Sequence, residues 1–172
     1  MNDEVLKLIN FRKATMKDIP EILKLEKELF REFLRMDFSE YEDLITYCLY
    51  TQVVIEKSSN KIIGTLFLNL NENIFNLAYS IDKIFVVKSW QKKGLGSYLL
   101  KMAENYCLKD SDEMNKIDKI LLDCDLDKID FYEKNGYRID EYFNEYDDSQ
   151  RVQMVKNLNK EQNKSSNIVL NI

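Results

Sequence analysis

The segment most restrictive for the fold is a short passage in the middle of the chain. Ile84-Phe85-Val86-Val87 is an uninterrupted apolar run, read as a buried strand. A short polar loop follows, with Gly94 and Gly96, and an amphipathic helix over residues 95–108 begins at once. A strand feeding a glycine-bearing turn and then a helix N-terminus makes a site for an anion. The first-turn N–H groups have no partner inside the helix and carry the positive end of its dipole. Glycines without a Cβ allow a phosphate to approach the backbone. Lys92 and Lys93 add exposed cations beside it. The spacing is neither G-x-x-x-x-G-K-[ST] nor G-x-G-x-x-G, so the two commonest phosphate loops are excluded. Two readings of the passage stand at this point: a phosphate cradle, or an ordinary strand–turn–helix whose glycines serve packing. For Lys92 and Lys93 an ordinary solvated basic pair is the alternative.

Composition narrows the function. A chain of 172 residues favours one domain with a real core. A formal net charge of -5 argues against a nucleic-acid scaffold. No apolar run is long enough for a bilayer span and the N-terminus lacks a signal-peptide core, so no membrane association is expected. Cys48, Cys107 and Cys124 lack metal spacing and read as free thiols in a reducing, cytoplasmic setting. The chain contains no histidine. That removes Ser-His-Asp and Cys-His nucleophilic machinery and the common zinc sites, and no metal is expected. Proton transfer falls to carboxylates, Tyr, Lys, Cys or held water.

Along the chain, residues 6–11 read as a first strand. Thr15 to Asp18 offer caps, Pro20 suits a first helical turn, and Ile22, Leu23, Leu25, Leu29, Phe30 and Phe33 form a helical stripe. Ser39 with Glu42 reads as a capping box for a second helix. Residues 52–56 and 62–70 form a hairpin, 71–76 a polar turn, and 77–87 the strand entering the glycine loop. A polar connection over 109–116 precedes a strand at 117–123. Residues 128–135 read as a short helix stopped by Gly136. A strand starting at Tyr137, an acidic aromatic loop over 141–149 and a last strand over 151–158 complete a β-αα-βββ-α-β-α-ββ order. Residues 159–172 read as a polar, flexible tail.

Gln91-x-x-Gly94-x-Gly96 resembles the acyl-CoA pyrophosphate signature of the GNAT N-acetyltransferase superfamily, and the element order resembles its fold. A second passage is more particular. Ile120-Leu121-Leu122-Asp123-Cys124-Asp125, then Ile129-Asp130-Phe131-Tyr132-Glu133-Lys134-Asn135-Gly136-Tyr137, is similar to the C-terminal half of the glucosamine 6-phosphate N-acetyltransferase family. Asp82-Lys83-Ile84-Phe85-Val86 and Val152-Gln153-Met154 match further family segments. The similarity covers residues 81–158 well and the earlier part only in architecture. It implies an α+β (mixed α/β) GNAT fold over residues 1–158, with a mostly antiparallel mixed sheet and helices on both faces. It implies acetyl transfer from acetyl-CoA to D-glucosamine 6-phosphate by direct attack in a ternary complex, and a homodimer. Apolar Val152, Met154, Val155 and Leu158 suit a last strand at such an interface.

The same resemblance assigns roles. Phe85, Val86 and Val87 would offer backbone donors to the cofactor and the oxyanion. Gln91, Lys92, Lys93, Gly94, Leu95, Gly96 and Ser97 would hold the pyrophosphate. Lys128 and Tyr132, one helical turn apart, would meet the pantetheine arm, with Tyr132 the acid for the leaving thiolate. Asp82 and Asp123 are the candidates for the amine's proton. Asp82, Lys83, Asp123, Cys124, Arg151 and Lys156 are the candidate substrate contacts, the two basic residues near the last strand for a phosphate. In a regular strand Asp82 and Lys83 would face opposite sides. For Cys124 a small buried hydrophobe is the competing reading, for Asp123 a strand-end cap or salt-bridge partner, for Tyr132 a packed aromatic with a satisfied hydroxyl, and for Arg151 and Lys156 surface charge. The rival functions are a GNAT enzyme acting on a polyamine or a protein N-terminus, and a non-catalytic acyl-CoA-binding module.

Overall fold

A computed structural model describes residues 1–73, 76–110, 117–140 and 151–158. The acidic segment 141–149, most of the connection 109–116 and the tail 159–172 lie outside the described residues.

One sheet of seven strands organises the chain, in the order β1-β2-β3-β4-β5-β7-β6. The strands are β1 (Ile9–Arg12), β2 (Tyr50–Glu56), β3 (Lys61–Asn73), β4 (Asn76–Val86), β5 (Lys119–Asp125), β6 (Arg138–Ile139) and β7 (Arg151–Asn157). Every pairing is antiparallel except β4 with β5. Helices α2 (Ile19–Leu29) and α3 (Phe38–Tyr47) cover one face, through Ile19, Ile22, Tyr41 and Ile45 packed on Val53, Phe67 and Phe85. Helices α4 (Leu95–Asp110) and α5 (Ile129–Glu133) cover the other, where Leu99, Leu100, Ala103 and Tyr132 meet Leu66, Ile81, Leu122 and Met154. The expected mixed α+β architecture with helices on both faces is the observed one.

Several local expectations are corrected. Residues 6–11 are not one strand: a short helix α1 (Asp3–Lys7) precedes β1. Asn2 caps it by accepting from the Glu4 N–H at 2.6 Å, and Asp3 and Glu4 suit its first turn. Helix α3 starts two residues before the Ser39 reading. Asp37 caps Glu40 N–H at 2.9 Å, and Glu40 returns to Asp37 N–H at 2.6 Å. The polar stretch read as a turn over 71–76 belongs largely to strands, since Asn71 pairs with Ala78 and Glu72 with Leu77. Strand β7 is an inner strand of the sheet. It lies between β5 and β6, with Met154, Val155 and Leu158 buried in the chain's own core.

Candidate active site

Strands β4 and β5 pair only through Tyr79–Ile120 and Ser80–Leu121. Beyond those residues the parallel strands separate, leaving a gap along the C-terminal half of β4. On the β3 side, the Val87 N–H donates to the Ile63 carbonyl at 2.9 Å. Alternation along an antiparallel ladder turns the neighbouring Val86 N–H and C=O the other way, into the gap. Gln91 Nε2 donates to that Val86 carbonyl at 2.9 Å, which leaves the Val86 N–H as the donor aimed at the opening. Of the three residues expected to offer backbone donors, Val86 has this orientation. Val87 spends its N–H on β3, and the Phe85 ring packs edge-on against Phe30 at 5.9 Å.

The glycine loop closes the same end of the gap. Lys92 and Gly94 both hold positive φ, 59° and 83°, so the chain doubles back between β4 and α4 and turns its amides toward the helix start. Gly96 lies under Phe131, where a Cβ would stand 3.0 Å from the ring. Leu95 is buried in the core, so its backbone is what it can offer. Lys92 is exposed, Ser97 half-buried, and the Lys93 ammonium rests 4.7 Å over the Trp90 ring. These features fit a coenzyme A thioester: an extended arm bearing amides beside a strand with an outward N–H, and a pyrophosphate at a helix start rich in N–H groups.

Across the gap, Tyr132 is buried between Phe131 at 5.0 Å and Tyr137 at 6.0 Å. Burial raises its phenol above the ordinary value, so it stays protonated and able to donate. Lys128, at the cap of α5, is mostly exposed with its ammonium on Asp127.

On the α2–α3 face, the separation opens a cleft of about 340 Å³ lined by Met36, Ser80, Asp82, Asp123, Arg151 and others. Asp82 reaches it because of a bulge. Phe67 pairs with Lys83 and Leu68 with Ile81, so Asp82 is the extra residue. The regular alternation is thereby broken, and Asp82 and Lys83 share the α2–α3 side. Burial pushes the Asp82 carboxyl above the usual carboxylate range. Hydrogen bonds from Ser80 and Asn69 pull it down, while the charge of Asp123 pushes it up. The Cys48 thiol lies 3.9 Å from Asp82 and is itself pushed up to about 12 by burial, so it remains neutral.

Arg151 stands at the far wall. It donates from Nη2 to the Asp123 carbonyl at 3.0 Å and its Nε lies 3.5 Å from Asp125. Arg31, from the loop after α2, reaches the same Asp125 carboxylate at 3.0 Å. The other candidate contacts are not brought to the cleft. Cys124 points to the opposite face and is buried in the core, its thiol pushed up to about 11 by burial. Lys156 also lies on that opposite side, bridging Glu104 at 2.7 Å and donating to the Asn135 carbonyl at 2.7 Å. Lys83 is buried with its ammonium 2.6 Å from Glu26. Arg31, Met36 and Glu26 escaped the sequence reading. A charged Glu26 four residues after Ile22, on the apolar stripe of α2, is the one signal that could have exposed the last of them.

A family model for the acetyltransferase (GNAT) domain matches residues 48–139, more than half of the chain, and the chain belongs to this family. It is an acetyltransferase of the kind that moves an acetyl group from acetyl-CoA to an amine. A curated relative, the glucosamine 6-phosphate N-acetyltransferase of Candida albicans, is 28% identical over 127 residues, covering 72% of this chain and 78% of that one. Among solved structures, Arabidopsis thaliana Naa50 bound to the bisubstrate analogue CoA-Ac-MVNAL superposes with a TM-score of 0.67 at 20% identity, covering 86% of this chain and 97% of its own. The ribosomal-protein-S18-alanine N-acetyltransferase of Escherichia coli gives 0.66 at 14% identity, with 88% and 94% covered. These two likenesses speak for the fold. Among the described residues, no helix is long and apolar enough to cross a membrane.

Proposed function

We propose that the chain acetylates the amine of D-glucosamine 6-phosphate, yielding N-acetyl-D-glucosamine 6-phosphate for UDP-N-acetylglucosamine synthesis, by direct attack in a ternary complex with acetyl-CoA. The observation that carries this reading is the composition of one small cleft. Two carboxylates, Asp82 and Asp123, and one guanidinium, Arg151, line it where β4 and β5 part. A phosphorylated amino sugar needs both: a base for its ammonium proton and a cation for its phosphate. The Candida albicans relative supports the same substrate.

In this reading Asp82, directly or through one water, accepts the proton that the amine sheds as its nitrogen bonds to the thioester carbonyl carbon. The Val86 N–H donates to the oxygen that gains charge. The Tyr132 phenol donates to the sulfur as the carbon–sulfur bond breaks. Arg151, with Arg31 on the facing rim, receives the phosphate. The homodimer implied by the resemblance belongs to this proposal and is tested by sedimentation.

A peptide N-terminus is the second reading, favoured by the peptide-bearing analogue in the Arabidopsis thaliana neighbour. Thiol release from acetyl-CoA separates the two, with glucosamine 6-phosphate, glucosamine, spermidine and a peptide compared side by side. Turnover of the phosphosugar well above glucosamine is the expected result. Turnover confined to the peptide or spermidine overturns the substrate.

A further inference from the structure

Lys83 and Glu26 form a buried ion pair that does not itself line the cleft, yet its contacts converge on the segment that walls it. Glu26 is 0% exposed. Its Oε1 receives the Lys83 ammonium at 2.6 Å and the Tyr41 hydroxyl at 2.8 Å, and its Oε2 receives the Met36 N–H at 2.9 Å. Lys83 also donates to the Leu34 carbonyl at 3.1 Å and lies 4.8 Å over the Phe30 ring. Residues 30–37 contain only the short turn Glu32–Leu34 as regular structure. The network holds them at Phe30, Leu34 and Met36, and the Arg35 guanidinium adds bonds to the Phe30 and Lys27 carbonyls at 2.9 and 3.2 Å. That segment sends Met36 into the cleft and Arg31 to Asp125 on its rim.

Stability alone is a poor reason for such a pair. Two desolvated charges seldom outperform apolar side chains of equal volume. The bulge at Asp82 gives another reason. It turns Lys83 to the same side as Asp82, so the carboxylate lining the cleft and the anchor of the facing wall are consecutive residues on one rigid strand.

We propose that Glu26 and Lys83 are positioning residues for acceptor recognition: they lock residues 30–37 to β4 and so fix the acceptor wall at a set distance from Asp82. The inference rests on the reading of this cleft as the amine-acceptor site. It fits a small, rigid acceptor whose amine and second polar group must both be met at once, because a loosely held wall would leave the second group unheld.

The test compares the wild type with Glu26→Gln/Lys83→Met, which removes both charges and retains side-chain volume, and with Tyr41→Phe, which deletes one hydroxyl and keeps the core packed. The first readout is the pair of KM values. In the double variant, the acceptor KM is expected to rise tenfold or more and the acetyl-CoA KM to stay within twofold. Tyr41→Phe should give a smaller rise in the same direction. The second readout is amide exchange, which should quicken over residues 31–37 while β3 and β5 keep their protection. Equal rises in both KM values, or an acceptor KM within twofold of wild type with unchanged exchange at 31–37, overturn the proposal. Failure of the acceptor-site reading looks different: the wild type would turn over no amine, and the exchange experiment would still decide whether the pair holds the segment.

Discussion

In the proposed reaction Asp82 is the base, and its environment makes the pH dependence testable. Its carboxyl titrates above the ordinary carboxylate range because burial disfavours the charge and Asp123 repels it. With Asp82 as base, kcat/KM should fall on the acid side through an ionisation above the usual carboxylate range. Asp123→Asn removes a nearby negative charge, eases ionisation of Asp82 and should move that acid limb to lower pH. Loss of activity at every pH in this variant would transfer the base role to Asp123. Tyr132→Phe keeps the ring contacts and deletes the donor. Turnover should drop about a hundredfold or more with acetyl-CoA affinity nearly unchanged, as read from steady-state kinetics and equilibrium binding. Equal losses in both would remove Tyr132 from the acid role. Asp82, Asp123 and Tyr132 can be nominated from the sequence, because they stand in recognisable company. Their facing is not legible there. Two-residue alternation separates Asp82 from Lys83, and only the bulge, a property of the β3–β4 pairing, puts them together.

At the level of elements, the strand–loop–helix unit was readable because each part carries its own local signal: the apolar run of β4, the glycines, and the stripe of α4. Gly136 likewise ends α5 with a φ of 83°. What escaped depends on competition between signals. Asn and Glu in 71–76 favour a turn, but the ladder they extend is set by the partner strand. Asp37 outcompetes Ser39 as a cap because Glu40 completes its reciprocal pair. The glycine loop offers a prediction on this scale. Gly94 has a φ of 83°, and a Cβ there would stand 3.3 Å from the Met1 Cα. A side chain in left-handed backbone costs about 1–2 kcal/mol. Gly94→Ala should therefore lower the thermal midpoint by about 2–8 °C and raise the acetyl-CoA KM, with the acceptor KM preserved. An acetyl-CoA KM unchanged in that variant would show that the loop's shape does not govern cofactor binding.

On the scale of the molecule, the sheet is two ladders joined by a narrow bridge. Strands β1 to β4 form one, β5, β7 and β6 the other, and among the described residues only the strand pairs Tyr79–Ile120 and Ser80–Leu121 join the two ladders. The core under α4 draws on both, with Leu66 and Ile81 from one ladder and Ile120, Leu122 and Met154 from the other. A ligand that lies in the gap, bonded to Val86 on one wall and packed on Tyr132 over the other, replaces the missing ladder contacts. Its effect should thus spread well beyond the atoms it touches. At a hundredfold excess over Kd, binding to the native state alone adds about 2.7 kcal/mol, or about 5–11 °C in thermal midpoint for a chain of this size. The distribution of that gain is the sharper measurement. With CoA bound, amide exchange should slow along β5 and β7 as well as in the loop after β4, because separating the ladders is the cheapest way to expose either. Protection confined to the glycine loop and the first turn of α4 would mean that the two ladders are already locked together by their shared core, and that the gap is a slot rather than a seam.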